Sequence, residues 1–111
     1  MEKSDVIAAL NALAHESRLE IFRYLIRKGI EGSAAGQIAA KLDLPSATLS
    51  FHLSALKQAR LVSARRQSRS IIYSANFASM NKLLAYLLEN CCRGVPNERG
   101  ELVTLGAAKR R

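Results

Sequence analysis

Cysteine is nearly missing from this 111-residue chain, and the two that occur, Cys91 and Cys92, are adjacent. Adjacent thiols cannot staple distant segments, which excludes a secreted disulfide scaffold and leads us to expect a reducing compartment. Tryptophan is absent, and three tyrosines and three phenylalanines are too few for a platform that stacks single-stranded bases. No apolar run approaches the roughly 18 to 20 residues of a membrane span. Glu2 and Asp5 precede any apolar stretch, unlike a secretory leader. A cytoplasmic protein without membrane contact is the expectation. Parts for catalysis are also wanting: two histidines on separate predicted helices, no glycine-rich phosphate loop, and no paired acids in the second half, so no enzyme is expected.

The most telling scarcity is acid. Residues 44–88 contain no Asp or Glu, while Lys57, Arg60, Arg65, Arg66, Arg69 and Lys82 fall within them. They contribute most of the formal charge of +8, which must lie on the surface and suits a polyanion such as duplex DNA. A solvated basic face is the plainer reading of such a run, so architecture has to decide.

Periodicity supplies that architecture. Val6, Ile7, Leu10, Leu13 and Ala14 recur at helical spacing behind Ser4 and Asp5, either of which can cap a first helix over about 5–14. Leu19, Phe22, Leu25 and Ile26 mark a second, with Glu16 and Glu20 near its positive start, Arg27 and Lys28 near its negative end, and Gly29 as its stop. After a 29–36 loop, Ile38, Ala39 and Leu42 predict a short helix over 37–42, and Pro45-Ser46 turns into another. There Leu49, Leu53 and Leu56 face inward, and Ser46, Ala47, Thr48, Ser50, His52, Ser54 and Lys57 are left outside. Residues 61–65 and 70–74 flank Arg66-Gln67-Ser68-Arg69 as a hairpin with a basic tip. A last helix over about 77–91, capped by Asn76 or Ser79, carries Met80, Leu83, Leu84, Leu87 and Leu88. Residues 1–95 form one domain, and 96–111 a loose basic tail.

Mainly helical with a β-hairpin wing, this order is that of a winged helix-turn-helix, whose second motif helix enters the major groove. Here that is the helix over 46–58. Short donors and acceptors near its start, Ser46, Thr48, Ser50 and His52, suit base edges or phosphates, and Lys57 suits a phosphate. Arg65, Arg66 and Arg69 can hold phosphates or enter a minor groove. Ser46 has a second reading as a helix cap, His52 as a plain exposed residue, and the wing cations as solubilising charge. A winged helix that holds a protein instead of DNA is the alternative from another class, and the basic wing argues against it.

Residues 13–22 (LAHESRLEIF), 50–56 (SFHLSAL), 59–62 (ARLV) and the Ile72-Tyr73 pair together resemble the ArsR/SmtB winged-helix repressors, from about Val6 to Cys92. The resemblance implies a homodimer through first and last helices, bound to an imperfect palindrome in its own promoter and released by an inducer. A chain this small has difficulty burying two such apolar helices alone, so the pattern also expects the dimer.

The family's metal sites can be tested by position. Its Cys-Val-Cys thiolate box has no counterpart, since residues 35–40 read AGQIAA. Its zinc site across the last helices needs Asp, His and Glu, whereas 77–90 hold Glu89 as their one acid and no His. Cys91 and Cys92 remain. Soft thiolates select thiophilic species, and the pair resembles a subgroup of arsenic-responsive repressors that usually carries a third cysteine downstream; residues 95–111 have none. No cofactor is expected, and the expected inducer is trivalent arsenic, as arsenite or an organoarsenical that brings its own carbon ligand, or antimony. Oxidation of the pair through sulfenic or persulfide states, and two incidental cysteines, are the other readings.

Overall fold

The computed structural model describes residues 1–89. Five helices and a small sheet follow in the order α1 Lys3–Leu13, α2 Glu16–Lys28, a 3-10 turn Gly29–Glu31, β1 Ser33–Ala34, α3 Ala35–Leu42, α4 Ser46–Gln58, β2 Val62–Gln67, β3 Ser70–Ala75 and α5 Phe77–Leu87. No helix among the described residues is long and apolar enough to cross a membrane.

The first helix begins earlier than its apolar stripe suggests. Neither Ser4 nor Asp5 is its cap: Glu2 takes that place, and Asp5, one turn in, accepts the Glu2 N–H at 3.0 Å. Small residues set its packing, because Val6, Ala9 and Ala12 are buried while Ile7 and Leu10 remain 51% and 41% exposed. The second helix has the expected bounds, capped by His15, whose Nδ1 accepts the Ser17 N–H at 3.2 Å, and stopped by Gly29 at φ 73°. Its buried side is Ile21, Phe22, Tyr24 and Leu25, and Leu19, expected inside, is 44% exposed.

The 29–36 loop proves to be structured. It holds the 3-10 turn and β1, which pairs antiparallel with β3 through Ser33 opposite Tyr73 and Ala34 opposite Ile72, giving a three-stranded sheet in the order β1-β3-β2. Gly32 makes this possible: at φ 74° it lies against the Tyr73 carbonyl, where a Cβ would overlap that oxygen. Ser33 behind it is buried, its hydroxyl 3.3 Å from Tyr24 Oη and donating to Gln37 Oε1 at 3.2 Å.

Leu49, Leu53 and Leu56 seat α4 in the core beside Ile21, Leu25, Ile38 and Leu61. The helix ends in a Schellman turn without glycine: Arg60 takes φ 65° and donates to the Lys57 carbonyl at 2.9 Å, and Leu61 N–H donates to the Leu56 carbonyl at 3.0 Å. The Leu61 carbonyl in turn accepts from Asn76 N–H at 2.8 Å, and the Asn76 side chain caps α5 by accepting from Ser79 N–H at 3.1 Å. Fully buried Leu61 thereby joins the end of α4 to the start of α5. The last helix stops at Leu87, short of the expected 91, and is followed by a turn in which Glu89 N–H donates to the Tyr86 carbonyl at 3.2 Å. Cys91, Cys92 and the 95/96 boundary lie outside the described residues.

Candidate nucleic-acid interface

The short α3, the Asp43–Pro45 turn and α4 form the helix-turn-helix. Asp43 accepts the left-handed φ of 56° that turns the chain, and Leu44 N–H closes it on the Ala39 carbonyl at 3.0 Å. Asp is among the few side chains that take this backbone at small cost. Pro45 is the cap position of α4, so Ser46 is its first residue and not its cap. Ser46, Thr48, Ser50 and Lys57 are all exposed, together with Ala47, Phe51 and Ser54. This face carries no acid, and the positive end of the helix lies at its start.

His52 does not belong to that face. It is only 6% exposed, and its Nδ1 accepts from Arg18 Nε on α2 at 3.1 Å, with the His15 ring 4.6 Å away. At 100° per residue its helical angle falls about 40° beyond Leu56, at the edge of the stripe of Leu49, Leu53 and Leu56, so the periodicity allows it to turn inward despite its polar type. Burial, then the neighbouring His15 and Arg18, hold its pKa below the ordinary histidine value.

The wing is longer than its sequence pattern, with a two-residue tip, Ser68-Arg69, between Gln67 and Ser70; Ser68 takes φ 58°. Arg66 therefore sits in β2, opposite Ile71, and both it and Arg69 are exposed. Arg65 differs, because its guanidinium is engaged within the chain, donating to the Glu31 carbonyl at 2.9 Å and the Ile30 carbonyl at 3.4 Å. It ties the wing to the 3-10 turn, and as strand side chains alternate, Arg66 points away from this tie.

Two residues of this surface escape sequence reasoning. Phe51 is 65% exposed in mid-helix, and Arg18 stands 5.5 Å over its ring. A large apolar residue on a polar face was a visible signal for the first; nothing local signals the second, which is 34 residues from its partner His52. Among the described residues no three His, Cys, Asp or Glu side chains gather where a metal ion could be held.

A core-seated helix with a small, acid-free outer face beside a cationic β-hairpin defines a winged helix-turn-helix DNA-binding protein. The Helix-turn-helix domain family matches residues 13–64. Nodulation protein NolR of Rhizobium meliloti is 37% identical over 78% of this chain and 69% of its own. An ArsR-like transcriptional regulator from Rhodococcus sp. RHA1 superposes with a TM-score of 0.70 at 30% identity, covering 82% of each chain. Mb0332 of Mycobacterium bovis, a homodimeric winged helix-turn-helix DNA-binding domain by solution NMR, does so at 0.62 and 28%, over 82% of this chain and 84% of that one. The chain belongs to the ArsR family of winged-helix transcriptional regulators.

Proposed function

We propose that the protein is a homodimeric repressor that occupies a two-fold symmetric operator and leaves it when Cys91 and Cys92 bind trivalent arsenic or antimony. The vicinal cysteine pair carries this reading: it follows α5 by a few residues in sequence and is the chain's whole complement of thiols. Two thiolates suit a soft trivalent centre. With no third cysteine, an organoarsenical, whose carbon already fills one place, suits the pair better than arsenite. The dimer is supported by the exposed Ile7 and Leu10 on α1 and Leu87 on α5, and by the homodimeric state of Mb0332. On DNA, Ser46, Thr48 and Ser50 meet base edges, and Lys57, Arg66 and Arg69 meet phosphates.

Release requires that the inducer bind the free dimer more tightly than the DNA-bound one. A 100-fold loss of operator affinity corresponds to a coupling of about 2.7 kcal/mol. The route for this coupling is the main-chain link from Asn76 through Leu61 to the end of α4: ligation beyond α5 biases that helix, and the link passes the bias to the reading helix.

The test is operator binding with methylarsenite, phenylarsenite, arsenite, peroxide and persulfide added in turn. Release by the arsenicals, strongest for the organic ones, and none from the Cys91→Ser, Cys92→Ser double variant is the expected result. Wild-type release from that variant removes the site, and release by peroxide or persulfide alone reassigns the pair to oxidation.

A further inference from the structure

The outermost ridge of α4 is not its hydroxyls. Leu49, Leu53 and Leu56 are each 2% exposed or less, so the line diametrically opposite, at 100° per residue, runs through Ala47, Phe51 and Gln58, with Ser54 beside it. Phe51 stands highest on it, 65% exposed. Its neighbours one turn to either side are small and leave the ring unshielded. Behind it, Arg18 lies 5.5 Å over the ring, and His52, whose ring is 5.7 Å from Phe51 at 60°, holds Arg18 through the Nε to Nδ1 hydrogen bond. A phenyl ring kept on a water-facing ridge and braced from α2 is arranged to meet something apolar.

We propose that Phe51 reads thymine in the major groove through the C5-methyl group. This rests on the DNA-binding role of α4. Guanine, adenine and cytosine present the groove with hydrogen-bonding groups alone, and thymine adds a methyl. A phenyl ring returns no hydrogen bond to the first three and gains contact area with the fourth. Bracing by Arg18 leaves less side-chain freedom to lose on binding, so more of the contact appears as affinity. The hydroxyls of Thr48 and Ser50 flank the ridge, and the preference for thymine is therefore set by an apolar residue at its centre.

The probe is the duplex that the full-length protein selects from a randomised library, with each thymidine replaced singly by deoxyuridine, which removes the methyl and leaves pairing intact. Wild-type protein is expected to lose affinity about fourfold per methyl, the value of one buried carbon group, at one pair of symmetry-related positions and nowhere else. Phe51→Ala binds the thymine duplex more weakly and shows no loss at those positions, while Phe51→Leu keeps part of the loss. Because the ring is mostly exposed, both variants should unfold at the wild-type urea midpoint. A wild-type profile indifferent to uracil, or a Phe51→Ala profile identical to wild type, overturns the assignment. Failure to select any duplex overturns the DNA-binding role itself and is told apart by that.

Discussion

His52 shows how one buried side chain ties stability to pH. Its Nδ1 accepts from Arg18, so the neutral ring carries its proton on Nε2, and protonating Nδ1 would set two donors against each other. The folded pKa lies below the unfolded one. As pH falls below about 6.5 the unfolded chain takes up the proton first, and stability falls until the folded pKa is passed. The urea midpoint should therefore decline between pH 7 and 5, and His52→Gln should flatten that decline; an unchanged slope would remove His52 as its source. Arg18→Ala leaves the buried acceptor unmet and loses the brace on Phe51, and should cost about 1 to 3 kcal/mol in urea unfolding at pH 7.5.

Among the elements, the ones fixed by local chemistry were legible and the ones fixed by distant contacts were not. The bounds of α2 follow from its charged ends and Gly29, and those of α4 from Pro45 and the leucine stripe. Two-residue β1 has no period to detect, and exists because Gly32 lets the chain press on the Tyr73 carbonyl. Gly32→Ala combines a left-handed φ with that overlap and should destabilise by about 2 to 4 kcal/mol, visible as a lowered melting temperature; a wild-type value would mean that β1 is dispensable. The wing's basic character was legible, but not that Arg65 is tied across the surface to the Glu31 carbonyl while Arg66 and Arg69 are exposed on the wing. Arg66→Ala or Arg69→Ala should weaken selected and random duplexes alike. Thr48→Ala or Ser50→Ala should weaken the selected duplex by about 1 to 3 kcal/mol more than a random one. One common factor for wing and helix variants in a binding titration would deny α4 its reading role.

For the whole molecule, charge is the governing quantity. The acid-free stretch 44–88 contains both α4 and the wing, so the two elements proposed to meet DNA carry cations and no acid of their own. If each subunit of a dimer neutralises about 3 to 5 phosphates, the slope of log affinity against log salt should lie near −5 to −9, and a slope near zero would exclude a phosphate-based interface. The induction site proposed above rests on sequence alone, the adjacent Cys91 and Cys92, which lie outside the described residues. The join at Leu61 has a consequence for how such a protein diversifies. Both of its hydrogen bonds are made by main-chain atoms, which any residue but proline supplies. The outer residues of α4 can therefore change without removing the connection to α5, so the exposed surface of one helix and the placement of the other can vary separately.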